Sequence, residues 1–180
     1  MSSTHALTTP TLMFRQMAPR DLLQVWRIEQ QSAARRWTVQ DFLTVLQSGH
    51  TVGQIAEVGD QIIGYVIYTV QNVPSDENVP DDSIHAPYAG PHSHISDQPL
   101  NLVVLHLVVH PDWRRRGVGL ALLGRLAKKM RNADDRIHST VPEGNLAAQL
   151  VLREAGYKAV RVLRGYFGDE DGYLMEKLPG

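Results

Sequence analysis

The chain has 180 residues, enough for one domain with a single well-formed core. Its 18 basic and 19 acidic residues nearly cancel, so no global field points to nucleic acid or to a membrane, and any basic feature must be local. It has no cysteine, which excludes disulfides, thiolate metal sites and thiol nucleophiles and fits a cytoplasmic location.

In chain order, MSSTHALTTPT lacks the pattern of a secretion signal, and residues 1–10 read as a flexible tail ahead of one domain over residues 11–180. Leu12–Gln16 is a short strand. Pro19 opens a helical stretch over Arg20–Ala34, with Leu22, Leu23, Val25, Trp26 and Ile28 as its apolar face. Thr38 followed by Asp41 is a helix-start signal, and Phe42, Val45 and Leu46 carry that helix to Gly49. Thr51–Val58 and Gln61–Val70 form a hairpin around Gly59-Asp60. Gln71–Pro99 holds five prolines and three histidines with little periodicity, so it reads as a long loop insertion over residues 71–99. Leu100–Val109 is nearly all Leu and Val, as in a central strand buried on both faces. Val118–Arg131 is an amphipathic helix, with Val118, Leu122, Leu126 and Met130 four apart. Arg136–Val141 is a strand and Asn145–Ala155 a helix stopped by Gly156. Ala159–Leu163 and Tyr173–Leu178 pair around the loop Gly165–Gly172. This order predicts an α/β domain whose helices cover a twisted sheet. No apolar run approaches the roughly 18 residues of a membrane span.

HPDWRRRGVGLALL, His110–Leu123, joins a strand to a helix through a basic, glycine-containing turn. A helix N-terminus leaves backbone N–H groups without partners, its dipole favours an anion, and arginine forks match phosphate oxygens. The local pattern also suits an exposed basic connection with a glycine-assisted helix start. G-x-x-x-x-G-K-[ST] is absent, as is a G-x-G-x-x-G in the first strand–turn–helix unit.

The strand LHLVV, then HPDW, then Arg115-x-Gly117-x-Gly119 running into ALL resembles the acetyl-CoA-binding motif of the GNAT N-acetyltransferase superfamily, [RQ]-x-x-G-x-[GA]; Arg114 and Val118 also suit it. EGNLAAQLVLREAGYKAVRVLRGYF is similar to the family's "SN-x-A-A…Y-x-x-x-GF…R-x-x-YY" stretch. ARRWTVQDF and EDGYLMEKL resemble segments of the RimI-like branch, which acetylates the N-terminal amine of a ribosomal protein. The likeness spans residues 12–178 apart from the long loop. It implies a mixed sheet of six to seven strands flanked by about four helices, and an acetyl-CoA-dependent acyltransferase. The backbone of Leu107, Val108 and Val109 would pair with the pantetheine arm. The turn Arg114, Arg115, Arg116, Gly117, Val118, Gly119 and Leu120 would hold the pyrophosphate, and Asn145 would contact the pantetheine or adenine side.

The catalytic pattern departs from that branch. Aligned on Asn145, the branch's glutamate base falls at Thr140 and its tyrosine acid at Leu152, and neither can move a proton. His138 shares a strand face with Thr140 and is one substitute base; it also suits a solvent-facing strand start. His106, the polar residue inside the Leu/Val strand, either faces substrate or is a core histidine bonded to a backbone carbonyl. His110 reads as a turn residue and Glu143 as solvated. Tyr166 takes the first aromatic of the family's pair and is the substitute acid, or a packed hairpin residue. An α-amine with pKa near 8 is about 10 % free at pH 7, against about 0.04 % for lysine, so it needs much less help from a base. That favours an α-amine or another low-pKa amine, or a changed substrate, and the RimI-like resemblance implies the N-terminal α-amine of a protein or peptide, attacked directly in a ternary complex. The alternatives are a small amine (polyamine, aminoglycoside or amino acid) and a non-catalytic acyl-CoA-binding module. His92-Ser-His94 lacks a third fixed ligand, so no metal is expected. No nucleic-acid or membrane partner is expected, and the chain is expected to be a monomer or homodimer.

Overall fold

The computed structural model describes residues 11–32, 37–71 and 99–180. The expected tail over residues 1–10, and residues 72–98 of the loop insertion with its H-x-H element, lie outside the described residues. The rest alternates as expected. Strand β1 (Leu12–Gln16) precedes helices α1 (Leu22–Ser32) and α2 (Val39–Leu46), then the hairpin of β2 (Thr51–Val58) and β3 (Gln61–Gln71) and strand β4 (Asn101–Val109). Helix α3 (Val118–Ala127), β5 (Arg136–Pro142), α4 (Leu146–Glu154), β6 (Lys158–Leu163) and β7 (Gly172–Lys177) complete the chain.

The strands form one seven-stranded mixed sheet in the order β1-β2-β3-β4-β5-β7-β6. Only β4 and β5 run parallel, joined through α3 as a crossover connection requires. Helices α1 and α2 cover one face, where Val25, Ile28 and Phe42 pack on Ile55, Tyr65, Ile67 and Val108. Helices α3 and α4 cover the other, where Leu122, Leu126 and Leu152 meet Val66, Leu102, Val104 and Ile137. Each such fully buried aliphatic side chain contributes about 1.5–3 kcal/mol relative to exposure.

Local chemistry sets the element ends. Thr38 caps α2: its side chain accepts from the Asp41 N–H at 3.2 Å while the Asp41 carboxylate accepts from the Thr38 N–H at 2.7 Å. Pro19–Asp21 forms a 3-10 turn before α1, and the Asp21 carboxylate accepts from the Ala18 N–H and from Arg15. Helix α3 ends at Ala127 rather than the expected Arg131. The carboxylate of buried Asp135 draws the Arg131, Asn132 and Leu100 N–H groups to itself, which turns the chain out of the helix.

The expectation for β4 needs correction. The strand buried through its length is β3, Ile62–Tyr68, whereas Leu105 of β4 is 40 % exposed. The cause is a β-bulge. Ile67 faces His106 and Tyr68 faces Val104, so Leu105 is the extra residue. A one-residue bulge reverses side-chain alternation. Leu102 and Val104 point toward α3, but His106 and Val108 then point toward α1 and α2.

Candidate active site

The bulge coincides with a parting of strands. Parallel pairing of β4 with β5 runs from Asn101↔Arg136 to Val104↔Ser139 and stops there, although β4 continues to Val109 and β5 to Pro142. Beyond Val104 the edge of β4 that faced β5 has no strand partner among the described residues, and the sheet opens as a wedge. Leu107, Val108 and Val109 lie on this stretch of β4, past its last pair with β5, where a strand edge can accept an extended ligand as an added strand would.

The basic turn lies just past the end of β4. His110 accepts from the Asp112 N–H in the 3-10 turn Pro111–Trp113, as expected of a turn residue. Arg115 has φ 58°, and Gly117, at φ 78°, is the N-cap of α3 without any side-chain cap. The first intrahelical bond is from the Ala121 N–H to the Gly117 carbonyl, so the N–H groups of Val118, Gly119 and Leu120 have no helical acceptor. Apart from its chain neighbours, no described residue has an atom within 4 Å of where a Cβ on Gly117 would sit. At Gly119 the equivalent Cβ would meet Val151 Cγ2 at 3.3 Å and Val109 Cγ2 at 3.7 Å, so this glycine lets α3 close on α4 and β4. An uncapped helix start with open space in front fits a phosphate, and the free β4 edge fits the amides of a pantetheine chain.

The three arginines divide their roles. Arg114 Nη2 donates to the Ser32 carbonyl at 2.6 Å and its Nε to the Val109 carbonyl at 3.3 Å, tying the end of α1 to the end of β4. The Arg116 guanidinium lies 5.1 Å from the Trp113 ring centre, while Arg115 and Arg116 are both exposed at the turn. Asn145 caps α4, its Oδ1 accepting from the Ala148 N–H at 3.1 Å.

On the α1/α2 face beside the wedge lies a cluster that motif reading missed. Glu29 is 0 % exposed and accepts three hydrogen bonds. They come from Tyr65 Oη at 2.5 Å, His106 Nε2 at 2.9 Å and the Trp37 N–H at 2.6 Å. The His106 ring stacks on Trp37, with centroids 4.6 Å apart and planes 11° apart, and keeps 14 % of its side chain exposed. Phe42 closes edge-on against both Trp37 and Tyr65. Burial alone would raise the Glu29 pKa, but the bonds from His106, Tyr65 and Trp37 outweigh it and hold the carboxylate ionised below its usual range. Burial and the adjacent carboxylate push the Tyr65 phenol well up. His106 is thus satisfied by a side-chain carboxylate and not by a backbone carbonyl. Glu29 is an acid at a position of the apolar stripe Leu22–Val25–Ile28, which is the signal that could have found it.

The other expected catalytic residues sit further along the same face. His138 pairs with Val103 on one side and with Glu176 on the other, inside the closed part of the sheet. It is 20 % exposed, its Nδ1 lies 3.6 Å from Glu176 Oε2, and that nitrogen has no hydrogen bond. Burial lowers its pKa; Glu176 opposes this and Arg136 adds to it. Thr140 follows on the same face, and Gly172 sits close to both it and Phe167: a Cβ on Gly172 would meet the Phe167 ring at 3.0 Å and Thr140 Cγ2 at 3.4 Å. Tyr166 rests edge-on against Phe167, with centroids 4.9 Å apart. Leu152 is buried in the α3/α4 core and Glu143 is exposed.

Residues 13–157 match the acetyltransferase (GNAT) family. No curated protein resembles the chain significantly in sequence. Among solved structures, the chain is similar to the ribosomal-protein-S18-alanine N-acetyltransferase of Escherichia coli, with 19 % identity, a TM-score of 0.69, and 94 % of this chain and 95 % of that one covered. It is similar to Arabidopsis thaliana NAA60 in complex with acetyl-CoA, with 22 % identity, a TM-score of 0.72, and coverage of 93 % and 99 %. It is also similar to Chaetomium thermophilum Naa20 in complex with a bisubstrate analogue, with 22 % identity, a TM-score of 0.66, and coverage of 92 % and 86 %. The family match over most of the sequence, on a sheet that opens beside an uncapped helix start, establishes that this chain belongs to the GNAT family and is an acetyl-CoA-dependent acetyltransferase.

Proposed function

We propose that the chain acetylates the N-terminal α-amine of a protein or peptide in a RimI-like manner, by direct attack in a ternary complex. The observation that carries this reading is the wedge between β4 and β5, with the α3 N-terminus at its outer end and the aromatic, carboxylate-lined α1/α2 face beside it. Two similar structures bear on the acceptor. One is an enzyme acting on the alanine of a ribosomal protein; another, Naa50 of Arabidopsis thaliana, holds the bisubstrate analogue CoA-Ac-MVNAL. The replacement of base and acid by Thr140 and Leu152, respectively, points the same way, since a free α-amine is far more abundant at neutral pH than a free lysine.

In this reading acetyl-CoA supplies the activated acetyl group. Leu107, Val108 and Val109 lend backbone groups to its pantetheine chain. Arg115, Arg116 and the N–H groups of Val118, Gly119 and Leu120 hold its pyrophosphate, with Gly117 giving room. Arg114 and Asn145 act by fixing the turn and α4. His138 and Tyr166 are proposed to line the acceptor side. A cytoplasmic location belongs to the same reading; no helix among the described residues is long and apolar enough to cross a membrane.

The test is free-thiol release from acetyl-CoA with peptides beginning Ala, Ser or Met, set against spermidine, an aminoglycoside and free amino acids. Release with the peptides alone supports the reading. Release with a small amine alone moves the acceptor to that class. Tight acetyl-CoA binding without turnover on any amine replaces the enzyme with a binding module.

A further inference from the structure

We propose that His106 is the general base of the reaction and that Glu29 is the residue that positions it. This rests on the transferase reading above and adds the group that takes the proton. The pair is assembled from α1 and β4, 77 residues apart in sequence, and the bulge at Leu105 is what turns His106 toward α1.

Glu29 is ionised and can only accept, so in the neutral imidazole the hydrogen sits on Nε2 and the lone pair on Nδ1. Nδ1 makes no hydrogen bond among the described residues. Tyr65 and the Trp37 N–H fix the carboxylate, and the Trp37 indole fixes the ring plane, so tautomer and orientation are both set before substrate arrives. The site has one buried anion to stabilise an imidazolium once it forms. His106 stands two residues beyond the last β4–β5 pair, where the sheet has opened, and it reaches solvent. His138 has a carboxylate near it, Glu176, but not in hydrogen-bonding contact. Its Nδ1 has no hydrogen bond, and it lies inside the closed part of the sheet. The titratable groups facing His106 are Glu29 from α1 and Tyr65 from β3; Trp37 and Phe42, from the segment entering α2 and from α2 itself, do not titrate.

The step balances. The acceptor ammonium gives one proton to His106 Nδ1. The neutral nitrogen attacks the thioester carbonyl carbon, the C–N bond forms and the C–S bond breaks. The departing thiolate takes the second proton lost by that nitrogen, and His106 returns its proton to solvent. The products are the N-acetylated acceptor and free coenzyme A.

The experiment measures kcat/KM for a Ser-starting peptide between pH 6.5 and 9.5 in wild type, H106Q and E29Q, with acetyl-CoA affinity by calorimetry as the control for an intact donor site. General-base removal costs about 10²–10⁴ in rate. H106Q is expected to lose at least about tenfold at pH 7. Its deficit narrows toward pH 9.5, where the α-amine deprotonates unaided. E29Q is expected to follow the same trend with a smaller loss. Wild-type rates in H106Q, or a deficit that does not change with pH, would overturn the pair while leaving the enzyme's function intact. If H106Q does not fold, E29Q decides, and an unchanged pH profile there overturns the pair. Absence of turnover by wild type on every amine overturns the transferase reading and the pair with it.

Discussion

Replacing Gly117 by glutamate separates the backbone at the α3 N-terminus from the charge it holds. Gly117 adopts φ 78°, which costs an L-residue about 1–2 kcal/mol. Apart from its chain neighbours, no described residue comes within 4 Å of the new Cβ, so Gly117→Ala carries that strain alone, and its Tm should fall by only a few degrees in a chain of this size. Gly117→Glu adds a carboxylate in front of the uncapped N–H groups of Val118, Gly119 and Leu120. Against a phosphoryl charge about 5 Å away, the repulsion is about 3 kcal/mol at an effective dielectric of about 20. Screening at this exposed turn reduces it to about 1–2 kcal/mol per charge. Two such charges weaken acetyl-CoA binding by about 30- to 1,000-fold. Calorimetry on both variants reads this directly: Gly117→Ala within about threefold of wild type, Gly117→Glu far weaker at a similar Tm, and the gap shrinking as salt rises. Equal affinity in the two variants would refute the assignment of the pyrophosphate to this turn.

A Cβ on Gly64 would meet the Val108 carbonyl oxygen at 3.0 Å and Val118 Cγ1 at 3.2 Å, beneath the start of α3. Gly64→Ala should therefore cost about 1–3 kcal/mol in urea denaturation and weaken acetyl-CoA binding; no loss in either measurement contradicts the close approach. Glu29→Leu leaves the Tyr65 hydroxyl, His106 Nε2 and the Trp37 N–H without their acceptor, so a loss of about 3–5 kcal/mol is expected, and less than about 1 kcal/mol would refute the network. Stability should fall with acid in two windows. Burial holds the His138 pKa low despite Glu176, so the unfolded state binds that proton first and stability begins to drop below about pH 6.5. Asp21, through its bond to Arg15, has a lowered pKa; Glu29 and Asp135, whose hydrogen bonds outweigh burial, do too. Their contribution is complete above about pH 5 and is lost progressively below it. His138→Gln should remove the first step in a plot of Tm against pH and leave the second; persistence of the first step assigns it elsewhere.

What the sequence disclosed was local, and what it hid joins distant residues. The Thr38–Asp41 cap and the turn at Gly59-Asp60, where Gly59 takes φ 60°, are short-range chemistry and were legible as such. The Leu/Val run of β4 announced a strand, but not the bulge at Leu105, because the bulge is a mismatch of register with β3. The end of α3 is set by Asp135, which lies beyond the helix and gathers N–H groups from both sides of the turn. The insertion of β7 between β5 and β6 leaves no local mark. The arginine–glycine turn was found from spacing, yet the bond from Arg114 to the Ser32 carbonyl spans 82 residues and was not. The same holds for Glu29 and His106. His106 stood out as the polar residue of an apolar strand, but only the fold shows that the acid on an apolar helix stripe is its partner.

The central claim, acetyl transfer to an α-amine, is tested most directly by one peptide that carries a free N-terminal serine and an internal lysine. After incubation with acetyl-CoA and the enzyme at pH 7, tandem mass spectrometry locates the added acetyl group. The account predicts a single acetyl group on the N-terminal nitrogen. Acetylation of the lysine with the N-terminus left free would contradict it.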